Sequence, residues 1–178
     1  MISNPNTMRT RGPLFVIVLL LGVSAPRVAI AQQDTAPSRE PAEASFLTVA
    51  EYDPARDPVK DLEATVQRAQ AEGKRILLDV GGEWCGWCHA LDAYIQENEA
   101  VHDALQQHFL IMKVNYSQEN NNQAFLSKYP GISGYPHLFV LESDGTFLHS
   151  QGTAPLEEGV SYNEEVFLAF LKKWTSAD

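Results

Sequence analysis

Residues 79–89 read DVGGEWCGWCH, and they join two segments with different hydrophobic patterns. The preceding residues, RILLDV at 75–80, form an apolar run typical of a buried strand, whereas apolar side chains recur at helical spacing after Gly86. Cys85 and Cys88 are the only cysteines of the chain. On the first turn of a helix, two sulfurs three residues apart are close enough to bond. The sequence therefore predicts a redox-active cysteine pair where a strand is followed by a helix.

The two sulfurs have different expected roles. Cys85 would lie at the helix N-terminus, where unpaired backbone N–H groups and the helix dipole stabilise a thiolate and lower its pKa. We predict that Cys85 is the nucleophile and that Cys88, which lies further into the helix, resolves the mixed disulfide. The alternative is an ordinary structural disulfide. Closing so small a ring stabilises a fold by only about 2 kcal/mol, compared with about 4.7 kcal/mol for a loop of about one hundred residues.

A second alternative is covalent haem attachment, because Cys85-x-x-Cys88-His89 has the spacing of a c-type haem motif. Both sulfurs would then form thioethers and His89 would ligate iron. Such a domain usually needs a distal methionine or histidine as well. Met112 is the only methionine after residue 31, and it lies within an apolar strand pattern. The remaining candidates for the distal ligand are histidines: His102, His108, His137 and His149.

Two titratable side chains flank the cysteines. Asp79 lies in an apolar strand, where burial would raise its pKa and let it exchange a proton with Cys88; the alternative is a surface carboxylate at the strand end. His89 follows Cys88 and is a candidate modulator, since its cation would favour a thiolate; the alternative is a solvated helix position. Zinc held by Cys85, Cys88, His89 and a distant histidine is an alternative, but adjacent Cys88-His89 does not suit a closed tetrahedral site, so we predict no metal. We predict no dissociable cofactor, because the cysteine pair itself carries the electrons.

The first 31 residues have the pattern of a cleavable signal peptide. Arg9 and Arg11 precede an apolar run at 14–21, and Ala29-Ile30-Ala31 supplies the small residues that signal peptidase accepts. The apolar run is shorter than the roughly twenty residues that span a bilayer. The alternative is an uncleaved N-terminal anchor.

Residues 32–45 are rich in Pro, Ala, Gln and charge without apolar periodicity, which predicts a flexible leader before a domain at 46–178. Cleavage near Ala31-Gln32 would make the mature chain periplasmic or secreted. Thiols can pair in such an oxidising compartment, which favours a working disulfide at Cys85 and Cys88.

Composition and charge exclude several classes of protein. Two cysteines in 178 residues exclude a disulfide-rich scaffold, and 44% hydrophobic residues are typical of a globular domain with its own core. The 23 acidic and 13 basic side chains give a formal net charge of -10. Nucleic-acid binding needs clustered Lys and Arg, so we predict no nucleic-acid partner. We expect a monomer.

From residue 46 onward, short apolar runs alternate with segments of helical periodicity. The predicted strands are 46–50, 75–80, 109–115, 137–142 and 146–150. The predicted helices are 58–72, 86–98, 100–107, 120–129 and one that begins after Asn163. Ser143-Asp144-Gly145 predicts a β-hairpin turn between the last two strands. This order predicts a mixed sheet covered by helices on both faces.

Four segments in this order resemble the thioredoxin superfamily. They are the strand ILLD at 76–79, the turn EWCGWC at 83–88, the strand MKVN at 112–115, and GISGYP at 131–136. The resemblance implies an α/β thioredoxin fold: a three-layer α/β/α arrangement with a mixed central sheet, ending in a β-hairpin plus a helix. It also implies that Tyr135-Pro136 is cis.

The resemblance also assigns roles to further residues. Lys113 is expected to be the partner of Asp79, and both would support proton transfer. Trp84, Tyr135 and Pro136 are expected to contact substrate, with the Tyr135 backbone pairing with an extended peptide. The alternatives are that Pro136 merely interrupts an edge strand and that Trp84 is a core aromatic.

The function implied is an exported thiol:disulfide oxidoreductase acting on protein thiols or disulfides, with a membrane-embedded electron donor if it works as a reductant. The alternative is a non-catalytic binding or chaperone module with the same fold. The sequence departs from thioredoxins at Trp87, where they have proline, at His89, where they usually have lysine, and in the polar connection 118–123. These departures indicate partners that differ from those of the cytosolic reductant.

Overall fold

The computed structural model of the protein describes residues 45–175. The predicted signal peptide at 1–31 and all of the predicted leader except Ser45 lie outside this range. Within residues 45–175, no helix combines the length and the apolar character needed to cross a membrane.

The described residues form five α-helices and seven strands. The helices are α1 (Pro58–Glu72), α2 (Gly86–Glu97), α3 (Glu99–His108), α4 (Gln123–Leu126) and α5 (Glu164–Lys173). The strands are β1 (Leu47–Val49), β2 (Arg75–Gly81), β3 (Phe109–Asn115), β4 (His137–Leu141), β5 (Phe147–Gly152), β6 (Glu157–Glu158) and β7 (Ser161–Tyr162). A short 3₁₀ turn at Ala154–Leu156 precedes β6.

Five of the strands form one mixed sheet in the order β1-β3-β2-β4-β5. β1 and β2 run parallel to β3, whereas β4 is antiparallel to both β2 and β5. The turn between β4 and β5 has Gly145 at φ +86°, a left-handed conformation that side chains disfavour. The predicted hairpin and the predicted α/β fold with a mixed sheet are confirmed.

The two faces of β2 pack against different helices. Leu78 and Asp79 point to opposite faces, because side chains alternate along a strand. Leu78 pairs with Phe139 of β4, whose ring stacks at 4.9 Å on Tyr129, which follows α4. Asp79 pairs with Lys113 of β3, whose ammonium contacts α2. Helices therefore cover both faces of the sheet, as the three-layer prediction requires.

The helix ends follow the capping residues in the sequence. The Asp57 side chain accepts a hydrogen bond from the Val59 N–H at the start of α1, and Gly73 ends that helix at φ 66°. Asn163 caps α5 in the same way through the Val166 N–H. These boundaries agree with the predicted ones.

The helix predicted at 120–129 is wrong in length, because only Gln123–Leu126 are helical. In the segment before Gln123, asparagine side chains donate hydrogen bonds to backbone carbonyl groups. Asn122 Nδ2 donates to the Asn115 carbonyl at 2.7 Å, and Asn115 Nδ2 donates to the Asn120 carbonyl at 2.7 Å. Such side-chain bonds compete with helix formation, and they replace the expected first turn by a fixed polar loop.

Two smaller differences concern short elements. The first strand covers only Leu47–Val49 of the predicted 46–50. The β6–β7 ladder pairs two residues on each side, and elements of that length carry no readable periodicity.

Candidate functional site

The Cys85–Cys88 pair lies between the end of β2 and the first turn of α2. Cys85 is the N-cap of α2 in an extended conformation (φ -96°, ψ 103°), and its Sγ accepts a hydrogen bond from the Cys88 N–H at 3.1 Å. The two sulfurs form a disulfide, with the Cα atoms 5.2 Å apart. The pairing and the position at a helix N-terminus agree with the sequence prediction.

A glycine makes room for the disulfide at the end of β2. A Cβ at Gly81 would overlap Cys88 Sγ and would lie 3.1 Å from the ring of Tyr52. Cys88 has no exposed surface, whereas 4% of Cys85 is exposed. An incoming sulfur therefore has access to Cys85 first, which is consistent with Cys85 as nucleophile.

Asp79 is buried, with 3% of its surface exposed, so the alternative of a surface carboxylate is wrong. Its Oδ2 accepts a 2.7 Å hydrogen bond from the hydroxyl of Tyr52, while Oδ1 has no hydrogen-bond partner among residues 45–175. Burial raises the pKa of Asp79 to about 6, although the Tyr52 hydrogen bond and the nearby Lys113 act in the opposite direction. A carboxyl group with such a pKa can hold or release a proton near neutral pH.

Lys113 does not make its ion pair with Asp79, and this corrects the sequence expectation. The two residues are register partners on β2 and β3, but the Lys113 ammonium binds Asp92 Oδ2 of α2 at 2.6 Å. The same ammonium lies 4.6 Å from the ring centroid of Tyr52. Lys113 therefore acts on Asp79 through its field rather than through a direct bond, and its role in proton transfer stays a prediction.

Tyr52 is the site residue that sequence reasoning missed. Its side chain is 2% exposed, contacts the Cys85–Cys88 pair and donates to Asp79. Burial, followed by the charge of Asp79, raises the pKa of Tyr52 far above its usual range, so the phenol stays protonated and donates. Tyr52 lies in an irregular segment between β1 and α1. Because such a segment has no regular hydrophobic pattern, the sequence does not predict that its tyrosine is buried.

The Tyr135-Pro136 bond is cis, as the resemblance implied. Pro136 is buried, and its carbonyl accepts a hydrogen bond from the Thr153 hydroxyl at 3.1 Å. Tyr135 packs against the cysteine pair. This proline joins the site to β4 rather than interrupting an edge strand, since β4 lies between β2 and β5.

Trp84 is not a core aromatic, because 58% of its surface is exposed. Its indole N–H nevertheless donates to the Tyr116 carbonyl at 2.7 Å, and its ring meets Tyr135 edge-to-face at 5.6 Å. Tyr116 stacks on Tyr135 at 4.8 Å. We call Trp84, Tyr116 and Tyr135 the aromatic wall. The predicted contact of Trp84 and Tyr135 with substrate stays a prediction.

The ring of His89 is directed toward the segment before Cys85. Its Nε2 lies 2.8 Å from the Glu83 carbonyl oxygen and 3.9 Å from the Glu83 carboxylate. About half of the side chain is exposed. A modulating effect of His89 on the thiolate stays a prediction.

Within residues 45–175, no group of three or more histidine, cysteine or carboxylate side chains is placed to hold a metal ion. The five-stranded mixed sheet does not suit a small helical cytochrome, which favours a redox cysteine pair over covalent haem attachment.

Residues 57–143 match the protein family described as Thioredoxin-like. The chain is 32% identical over 87 residues to the thiol:disulfide interchange protein DsbD of Campylobacter jejuni, an alignment that covers 49% of this chain and 15% of that protein. The Yersinia pestis DsbD is 29% identical over 77 residues, which is 43% of this chain and 13% of the relative. The chain thus spans only a small part of the length of these curated relatives.

Solved structures with the same fold include a disulphide isomerase from Xylella fastidiosa Temecula1, with a TM-score of 0.57 and 22% identity over 68% of this chain and 94% of that one. The oxidised C-terminal domain of Neisseria meningitidis DsbD has a TM-score of 0.50 and 21% identity, covering 69% of this chain and 98% of that one. At these identities the likeness shows the fold. The family match over residues 57–143, the shared fold and the Cys85–Cys88 pair at its helix N-terminus agree: this part of the chain is a Thioredoxin-like domain.

Proposed function

We propose that this chain is an exported thiol:disulfide oxidoreductase that exchanges disulfides with protein substrates through Cys85 and Cys88. One observation carries the proposal: the disulfide lies at the N-terminus of α2, and Tyr52 links it to a buried carboxyl group, Asp79, whose pKa is raised to about 6. A structural brace has no need of a neighbouring group that titrates near neutral pH.

In the reducing direction, the Cys85 thiolate attacks one sulfur of a substrate disulfide and forms a mixed disulfide, while the other substrate sulfur leaves as a thiolate. Cys88 then loses its proton and attacks Cys85 Sγ, which closes the disulfide and releases the second substrate thiolate. The substrate gains two electrons and the cysteine pair loses two. Oxidation of a substrate dithiol is the same sequence in reverse.

Asp79 is the proposed proton acceptor for Cys88 in the closing step. Its Oδ1 has no hydrogen-bond partner in the described residues, and a Cβ on Gly81, two residues along the same face of β2, would overlap Cys88 Sγ. Tyr52 occupies the other carboxylate oxygen. A proton that leaves Cys88 therefore has one free acceptor atom on Asp79.

The proposed function includes export of the chain and an electron donor in the membrane. The sequence pattern of residues 1–31 supports export, and the relatives named thiol:disulfide interchange protein DsbD support disulfide exchange as the reaction class. A reductant outside the cytosol needs a supply of electrons, which we assign to a membrane-embedded donor.

Insulin reduction by the purified mature chain tests the exchange activity. Dithiothreitol serves as the electron source, and Cys85→Ser and Cys88→Ser are the matched controls. We expect turnover by the wild type and none by Cys85→Ser. Wild-type activity no higher than that of both variants would contradict disulfide exchange and would favour the alternative, a non-catalytic binding module with this fold. A covalent Soret band on the purified chain would instead support haem attachment.

The reduction potential of the Cys85–Cys88 pair then separates the two directions. A reduction potential of about -120 mV would indicate an oxidant, whereas a potential of about -270 mV would indicate a reductant that needs the membrane donor.

A further inference from the structure

An open cleft of about 820 Å³ lies beside the cysteine pair. Three separate segments line it: Tyr52 and Pro54 before α1, Glu83 and Trp84 before the disulfide, and residues 115–119 with Asn121, which form the end of β3 and the polar loop after it. The cleft therefore begins at the residue that precedes Cys85 and extends away from it along the loop. A substrate peptide whose cysteine is bonded to Cys85 would have its flanking residues within reach of this cleft.

The cleft is held open by hydrogen bonds within and across these segments. Asn120 Nδ2 donates to the Pro54 carbonyl at 2.9 Å, which ties the polar loop to the segment before α1. The Tyr116 N–H donates to the Gly81 carbonyl at 2.6 Å, which ties the loop to the end of β2. Asn122 adopts a left-handed conformation at φ 48° to close the loop. A preformed cleft lowers the entropy cost of ordering a ligand.

The charge of the lining has one sign. Glu83 and Glu119 contribute carboxylates, and no Lys, Arg or His is among the lining residues. About 64% of the Glu83 side chain is exposed, and Glu119 is exposed as well. His89 Nε2 lies 3.9 Å from the Glu83 carboxylate. The remaining lining groups are neutral amides, hydroxyls and aromatic rings.

An aromatic face adjoins the two carboxylates. Trp84 exposes more than half of its surface while its N–H is fixed to the Tyr116 carbonyl, so the indole is presented in one orientation. A guanidinium group stacks on such a ring and can pair with a carboxylate at the same time. The whole chain carries a formal charge of -10, so a basic ligand would also be attracted at a distance.

We propose that this cleft selects protein substrates with arginine-containing basic segments next to the reactive cysteine. The inference deepens the proposed function and rests on it, because it names the substrate class of the same site. The peptide forms the mixed disulfide with Cys85, stacks an arginine on Trp84 and directs its charge toward Glu83 and Glu119.

The test compares peptide disulfides of equal length in which the residues beside the cysteine are Arg, Gln or Glu. Stopped-flow rates of their reduction by the dithiol form of the whole chain are measured at about 10 mM and about 150 mM ionic strength. Hydroxyethyl disulfide, which is neutral and too small to reach the cleft, is the reference substrate. The readout is the ratio of the Arg-peptide rate to the Gln-peptide rate within each variant.

We expect the Arg peptide to react about tenfold faster than the Gln peptide at low ionic strength, with a smaller ratio at high ionic strength. Glu119→Gln and Glu83→Gln should each lower the Arg/Gln ratio by about two- to fivefold. The matched control is Glu97→Gln, which makes the same charge change at the far end of α2, about 18 Å along the helix from Cys85. It should leave the ratio unchanged.

Equal rates for all three peptides, or an equal loss of preference in Glu97→Gln, would overturn the cleft assignment while leaving disulfide exchange intact. No reaction with any disulfide, including hydroxyethyl disulfide, would overturn the proposed function and the inference with it. A dimer in light scattering, together with no Arg preference, would assign the cleft to a second copy of the chain and also overturn the inference.

Discussion

The hydroxyl of Tyr52 donates a 2.7 Å hydrogen bond to Asp79, and the ring of the same tyrosine packs against the Cys85–Cys88 pair. One side chain thus connects the disulfide with the only titratable carboxyl group on β2. Because the bond occupies Oδ2 and leaves Oδ1 without a partner in the described residues, Tyr52 fixes which oxygen of Asp79 can receive a proton.

Tyr52→Phe should raise the pKa of Asp79 above about 6. The substitution keeps the ring beside Lys113 but removes a hydrogen bond that lowers this pKa. A hydrogen bond to a charged group contributes about 1.5–3 kcal/mol, so we expect an upward shift of about one to two units. Titration of the Asp79 carboxyl by NMR and the pH profile of the ring-closing step both measure it. An unchanged profile would mean that Tyr52 only fills space.

Asp92→Asn should move the same pKa in the opposite direction. The Asp92 carboxylate raises the Asp79 pKa by repulsion, and it also holds the Lys113 ammonium at 2.6 Å. Its neutralisation leaves Asp79 as the remaining anion beside Lys113. The same NMR titration reports the change, and a rise instead of a fall would contradict the assignment of Lys113 to Asp92.

Asp79→Asn should make the protein more stable above pH 6. The folded pKa of Asp79 is about 6, raised from 3.8 by burial, so the folded state keeps this proton after the unfolded state has lost it. Ionisation of Asp79 therefore lowers the free energy of unfolding progressively as the pH rises from about 4 to about 6. Above that pH the loss is about 3 kcal/mol. Urea unfolding of both proteins at pH 4 and pH 8 measures the difference. A variant equally stabilised at both pH values would show that ionisation is not the cause.

How much of this site could be read from the sequence depends on where its residues lie. Cys85, Cys88 and Asp79 stand at fixed offsets within one strand–turn–helix unit, so periodicity and spacing located them. Tyr52 lies 27 residues before its partner Asp79, in a segment without periodicity, and only the tertiary fold brings the two together.

The same limit explains two errors, one within β3 and one after it. The resemblance implies that Lys113 pairs with Asp79, and the two are level on adjacent strands, but α2 places the Asp92 carboxylate against the Lys113 ammonium. The helix predicted at 120–129 lost its first turn because asparagine amides bind the backbone of Asn115 and Asn120. Competing side-chain bonds of this kind are set by the fold around the loop.

Gly81→Ala should destabilise the oxidised protein. The added Cβ would overlap Cys88 Sγ and contact the Tyr52 ring, in a packed region with no room to adjust, and we expect a loss of about 1–3 kcal/mol in unfolding free energy. Gly86→Ala is the matched control, because a Cβ there meets nothing within 4 Å. Chemical denaturation compares the two. Equal stability of both variants would contradict the close approach of β2 to Cys88.

Trapping of the mixed disulfide identifies the cysteine that attacks substrate. Reduced Cys88→Ser and Cys85→Ser variants are each mixed with a disulfide-bonded peptide, and the products are identified by intact mass and peptide mapping. We predict that Cys88→Ser accumulates an adduct with one peptide half on Cys85, whereas Cys85→Ser forms none on the same time scale, because Cys88 is fully buried. An adduct on Cys88 that forms as fast as the one on Cys85, or no adduct on either, would contradict it.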